Sequence, residues 1–132
     1  MERALVILKP DAVRRKLIGE IIGRFEKKNL EITDIMMEII PREKAEIHYA
    51  HIKSLPIYED LISYMTSSPS MIMIIQGEQA IQVIRNMIGK TSTFEASQGT
   101  IRGDFGLHRF QNLVHSSDSV ENAEIEIQRF FE

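Results

Sequence analysis

The run Asn112-Leu113-Val114-His115 brings an imidazole to the end of a short apolar segment, and Ser116-Ser117-Asp118-Ser119 follows with the residue types that open helices. An imidazole titrates near neutrality, at about 6.5 when unperturbed, so a large neutral fraction keeps a free ring nitrogen. Such a nitrogen can attack an electrophilic phosphorus and carry the phosphoryl group covalently, dividing one difficult transfer into two easier ones. A phosphoryl-transfer centre also needs cations around the phosphates, an oriented nucleophile and a place for Mg²⁺. The candidates for cradling phosphate are Lys9 at a strand end, Arg85 near a helix C-terminus and Arg102 in a long loop, with Thr91 and Asn112 as neutral donors. Side chains must do this work, because the chain has no Gly-x-x-x-x-Gly-Lys-Ser/Thr loop, and Gly99 to Gly106 has the wrong glycine spacing for a dinucleotide loop.

On a helical wheel of the last expected helix, Ala123, Ile127 and Phe130 form the apolar stripe and Glu126 falls at its edge. A carboxylate there costs desolvation unless it has a partner. Packed beside the strand that ends in His115, Glu126 would accept a hydrogen bond from one ring nitrogen and leave the other free to attack. The remaining histidines carry less. His48 and His51, three apart on an expected helix, lack a third metal ligand and read as a solvated face, and His108 reads as loop surface.

The elements that would hold these groups follow from periodicity. Ala4 to Leu8 reads as a buried strand ended by Pro10, Leu17 to Asn29 as an amphipathic helix, and Leu30 to Ile40 as a second strand. Residues 42 to 54 and 57 to 66 read as two short helices, Met71 to Ile75 as a central strand apolar on both faces, and Glu78 to Ile88 as a helix with Gly89 as a left-handed cap. Residues 89 to 111 form a long irregular loop, Asn112 to His115 a fourth strand, and Asp118 with Glu121 a capping box for a helix ending at Phe131. Right-handed crossover of the two strand-helix-strand halves predicts an α+β, ferredoxin-like fold: a four-stranded antiparallel sheet with helices packed on one side.

With 132 residues, 43% hydrophobic and 27% charged, residues 1–132 are expected to form a single domain. The absence of cysteine removes disulfides and thiolate-held metals. The start Met-Glu-Arg-Ala enters a strand without the pattern of a signal peptide, and no apolar run approaches the roughly 18 residues of a membrane span, so a cytoplasmic protein is expected. A net charge of -3 speaks against a broad nucleic-acid footprint, and the expected strands lack exposed aromatics for stacking on RNA bases.

Over essentially its whole length the sequence resembles the nucleoside diphosphate kinases, through Lys9-Pro10-Asp11, Gly19-Glu20-Ile21-Ile22-x-Arg24-Phe25-Glu26, His48-Tyr49, Gly99-Thr100-Ile101-Arg102-Gly103-Asp104-Phe105 and Asn112-x-x-His115-x-Ser117-Asp118-Ser119. The resemblance implies a ping-pong reaction in which a nucleoside triphosphate, mainly ATP, phosphorylates His115 and a nucleoside diphosphate collects the group. It makes Lys9, Arg85, Thr91, Arg102 and Asn112 ligands of phosphates and ribose. Tyr49, Ser117 and Glu126 would support His115, Leu61 and the position of Ile57 would line the base slot, and Asp118 would lie near Mg²⁺ through water. A homo-oligomer is implied, with a hexamer favoured over a tetramer. The chain ends at Glu132, without the C-terminal extension by which many relatives reach a neighbour.

Four places depart from the family pattern, one of them Ser92-Thr93 where Asn-Pro usually follows the threonine. Ile57 stands where a phenylalanine stacks on the base, with Tyr58 beside it as a possible substitute. Phe110-Gln111 replaces Gly-Arg, and Ser116 replaces a glycine, which is expected to shift the approach to His115 if positive φ is needed there. The alternative reading is a nucleotide-binding regulatory relative with weak turnover.

Overall fold

The computed structural model describes residues Met1–Glu132. Four strands, β1 (Glu2–Leu8), β2 (Glu31–Glu38), β3 (Ser70–Gly77) and β4 (Val114–Ser116), make one sheet in the order β2-β3-β1-β4, every neighbour antiparallel. Seven helices connect them: α1 (Pro10–Arg14), α2 (Ile18–Lys27), α3 (Arg42–His48), α4 (Tyr58–Met65), α5 (Ala80–Ile88), α6 (Ile101–Phe105) and α7 (Val120–Phe131). This is the ferredoxin-like arrangement that the order of periodicities predicts.

Helices cover both faces of the sheet, not one. Alternate residues of β1 explain how: Ala4, Val6 and Leu8 pack with α2 and α5, whereas Leu5 and Ile7 pack with α3, α4 and the end of α7. A strand fully buried on both sides is an uninterrupted apolar run, as Ala4 to Leu8 is, so the two-sided core was written in that run.

Three local expectations change. Pro10 does not merely end β1: it begins α1, where its fixed φ suits the first helical turn, and Tyr64 of α4 donates its hydroxyl proton to Asp11 in that turn. The irregular segment 89 to 111 contains α6, capped by Thr100, whose side chain accepts from the Gly103 N–H. The cap of α7 is Ser119, accepting from the Asn122 N–H at 3.1 Å, rather than Asp118, which takes the Asn122 side chain instead. Gly89 does have positive φ, at 91°, but its ψ of -178° lies outside the left-handed helical well.

Candidate active site

The central strand β1 and the edge strand β4 run side by side, with Ile7 opposite His115 and Leu8 opposite Val114. Lys9 therefore leaves the end of β1 next to the segment that leads into the nucleophile strand, and its backbone N–H donates to Leu113 O at 2.8 Å. Leu113 has φ of +73°, and the Val114 N–H bonds back to Asn112 O at 2.8 Å. That is a γ-turn of the rare, strained kind, and strain of this sort persists only where its surroundings hold it. Ser116 is a buried strand residue without positive φ, so serine at this position carries no left-handed strain into the approach to His115.

The turn aims Asn112 at Lys9. Lys9 Nζ donates to Asn112 Oδ1 at 2.7 Å, and Asn112 Nδ2 donates to Thr91 O at 3.3 Å. Lys9 is almost wholly buried, and burial, helped by the charge of Arg102, pushes its pKa down to about 7. Arg102 is buried too, and donates to the carbonyls of Asn112, Gly89 and Val114 at 3.1, 3.1 and 2.6 Å. Burial and the Arg85 charge lower it to about 10, so it stays cationic at neutral pH. A guanidinium has five N–H donors, so two remain for a ligand. Tyr49 completes this wall, with a buried hydroxyl that finds no partner in the protein and a proton held more tightly than usual by burial and by the Glu126 charge.

Across from these cations, His115 Nε2 lies 3.1 Å from Glu126 Oε1, and the same oxygen accepts from Ser117 Oγ at 2.6 Å. Ser117 is tied in turn to β1, accepting from the Leu5 N–H at 3.0 Å. Burial alone would raise the Glu126 pKa, but the bond and charge of His115, then the Ser117 bond, outweigh it and leave the carboxyl below its usual range. An ionised acceptor on Nε2 fixes the proton there and leaves the lone pair on Nδ1. His115, Glu126, Lys9, Tyr49, Arg102 and Asn112 line one cavity of about 600 Å³, with Arg85, Thr91 and Asp118 on its wall. The first cause of Asp118's lowered pKa is the Asn122 side-chain bond, so this exposed carboxyl is ionised and suits a water-mediated contact to a hard divalent cation carried by phosphates.

Ile57 and Leu61 are not on that wall. Leu61 is buried in the core beneath α4, and Tyr58 points into the same core, so it does not substitute for a stacking ring. His48, expected on a solvated face, is 7% exposed. Its ring stands edge to face with His115 at 4.4 Å, and Arg129 Nη1 lies 3.0 Å from its Nδ1. Burial, then the neighbouring His115 and Arg129 charges, hold it far below the ordinary imidazole range, so it is neutral. The signal was present in the sequence: Ala45, His48 and Tyr49 share one helical face, and Ala45 and Tyr49 are both apolar enough to mark it as inward. His51 remains exposed in the turn after α3.

A ferredoxin-like sheet whose central strand β1 and neighbouring edge strand β4 bring a buried lysine and a carboxylate-oriented histidine to one cationic cavity defines a small α+β phosphotransferase. Comparison with known proteins makes this specific, and the chain belongs to the nucleoside diphosphate kinase family, whose model matches residues 2–132. A nucleoside diphosphate kinase of Acetivibrio thermocellus is 56% identical over 131 residues, covering 99% of this chain and 96% of that one. The crystal structure of nucleoside diphosphate kinase from Encephalitozoon cuniculi superposes with a TM-score of 0.97 at 42% identity, covering 99% of this chain and 89% of that one. That of Halobacterium salinarum, in complex with CDP, gives 0.96 at 39%, covering 99% and 88%. The activity is accordingly that of a phosphotransferase moving a phosphoryl group between nucleotides.

Proposed function

We propose that His115 carries the phosphoryl group in a ping-pong exchange between nucleoside triphosphate, mainly ATP, and nucleoside diphosphate, with residues 1–132 acting as one kinase domain. The observation that carries this reading is the His115 Nε2 to Glu126 contact at 3.1 Å, which leaves the lone pair on Nδ1 of a histidine that lines the same cavity as Lys9, Arg85 and Arg102. Nδ1 attacks the γ-phosphorus, the bond from that phosphorus to the bridging oxygen breaks, and the diphosphate leaves with the electron pair. Glu126, held by Ser117, stabilises the positive charge that develops on the ring. Lys9, Arg102, Arg85 and the Tyr49 hydroxyl meet the phosphate oxygens, while Thr91 and Asn112 position the remainder. A terminal oxygen of the second diphosphate then attacks the phosphohistidine and restores Nδ1. A divalent cation, Mg²⁺ in this reading, neutralises phosphate charge when bound, with Asp118 reaching it through water. Steady-state rates at varied ATP and GDP should give parallel double-reciprocal lines; converging lines would exclude a covalent intermediate.

Ile57, half-buried and accessible at the start of α4, is proposed for the base end of the nucleotide, with Leu61, buried one helical turn on, backing it from the core. Stacking on an aromatic contributes roughly 1 to 3 kcal/mol in single-strand binding, so Ile57→Phe should tighten nucleotide affinity severalfold, and equal or weaker binding would remove Ile57 from the slot. A homo-oligomer, taken as a hexamer in preference to a tetramer, belongs to the same proposal; the exposed apolar residues of β2 support association as such, and the soluble nucleotides it would exchange support a cytoplasmic setting. No helix is long and apolar enough to cross a membrane.

A further inference from the structure

Three histidines line the cavity and the phosphoryl-transfer reading uses one; of the other two, His51 is exposed and His48 packs against the nucleophile. His48 and His115 stand edge to face at 4.4 Å, and one ligand atom each from His48, His115 and Glu126 lie within 4.8 Å of one another. Two imidazoles and a carboxylate are a zinc-type donor set. A zinc ion seated there would take the lone pair of His115 and stop its chemistry. What stands against it is on α7. Arg129 Nη1 is 3.0 Å from His48 Nδ1, and a guanidinium has donors and no acceptor, so the contact assigns both partners: Arg129 donates and Nδ1 accepts.

We propose that Arg129 is a positioning residue that fixes His48 as its Nε2–H tautomer, so that of this adjoining pair only His115 keeps an open lone pair and the His48–His115–Glu126 cluster cannot close on a divalent metal ion. With Nδ1 occupied by Arg129 and Nε2 carrying the proton, neither nitrogen of His48 can ligate or compete for the phosphoryl group. The fixed positive charge of Arg129 adds to the barrier against a cation. His48 is then free to act as a neutral wall that holds the His115 ring in the plane set by Glu126.

The proposal rests on His115 being the nucleophile, but metal affinity and tautomer are both read without nucleotide, so its failure is distinguishable from failure of that reading. Zinc affinity is measured by competition with a chromogenic chelator for the wild type, Arg129→Met, Arg129→Lys and the double variant Arg129→Met with His48→Phe. An outer-shell partner that holds a histidine in its ligating tautomer is worth about 10- to 100-fold in metal affinity, and Arg129 holds the opposite tautomer, so its removal acts with the opposite sign. Here Arg129→Met should gain at least about tenfold in affinity for zinc, the double variant should return to wild type, and Arg129→Lys, which keeps a donor, should stay near it. In single-turnover phosphorylation, Arg129→Met should be inhibited by zinc and restored by EDTA at concentrations that leave the wild type unaffected. Histidine-selective nitrogen NMR of the wild-type protein provides a readout that needs no variant, and should show His48 protonated at Nε2 only. A proton on Nδ1, an unchanged zinc affinity in Arg129→Met, or a gain that survives His48→Phe would overturn the assignment.

Discussion

Lys9 is costly to the fold and, in the proposed mechanism, a ligand of the phosphates. Its amine is buried against Asn112 with a pKa near 7, so at neutral pH the folded chain binds less proton there than the unfolded one, and stability rises as pH climbs from about 7 towards the ordinary lysine range. Lys9→Met should therefore raise the melting temperature at pH 7, by the equivalent of about 1 to 3 kcal/mol, while abolishing phosphoryl transfer. Phosphate oxygens reverse the situation by favouring the ammonium, so nucleotide binding at pH 8 should take up a proton, measurable by calorimetry in buffers of different ionisation enthalpy; no uptake would mean that Lys9 is already charged. His48 acts in the other pH range. Its folded pKa is depressed, so its contribution is complete above about 6.5 and is lost as the unfolded chain takes up a proton that the folded one refuses. Stability below pH 6.5 should fall by up to about 1.4 kcal/mol per pH unit from this group, and His48→Asn should lack that component in acid-denaturation curves.

Among the elements, α6 matters most for its size. It is five residues long, yet it carries Arg102 into contact with Gly89, Asn112 and Val114, joining the end of α5 to the start of β4. Two glycines make that possible: a Cβ on Gly89 would meet Thr100 Oγ1 at 2.5 Å, and one on Gly103 would meet Ser97 O at 1.8 Å. Gly103→Ala must push α6 away from its preceding turn, so it should weaken nucleotide binding at least tenfold and lower stability by about 1 to 3 kcal/mol, whereas Thr100→Ala, which removes only the cap, should cost about 1 kcal/mol. Near-wild-type nucleotide affinity in Gly103→Ala would show that Arg102 is not held through α6. The sequence made the long elements readable because α2, α5 and α7 repeat apolar residues with helical spacing and β1 and β3 do not interrupt theirs. It concealed α6, since five residues containing a glycine have no period, and it concealed the γ-turn at Leu113, a strained conformation imposed by the packing of β4 on Lys9 and not by any local preference of leucine. The pairing of His115 with Glu126 was legible from the wheel of α7. That of His48 with Arg129 was not, because it depends on α3 and α7 meeting, a tertiary fact.

At the scale of the whole molecule, the sheet is sealed on both faces but open at one edge. Strand β2 leaves Ile35 and Met37 about half exposed, at 51% and 47%, with Ile39 just beyond its end at 57%, and carries no outer neighbour. Open apolar edges invite pairing with another chain, so Ile35→Lys with Met37→Lys should lower the sedimentation coefficient towards that of a smaller assembly, and an unchanged value would place the subunit contact elsewhere. The opposite edge, β4, carries His115, so the proposed phosphoryl carrier and the exposed apolar edge lie on opposite sides of one small sheet. The central strand and the edge strand beside it both deliver residues to the cavity: Lys9 follows β1 and His115 lies in β4. The central claim is that the group transferred resides on His115 between substrates. Brief exposure of the protein to γ-labelled ATP, followed by peptide mapping at alkaline pH, should place acid-labile label on the peptide containing His115, and added GDP should discharge it to labelled GTP. Label retained in His115→Ala, or label on His115 that GDP does not remove, would contradict the account.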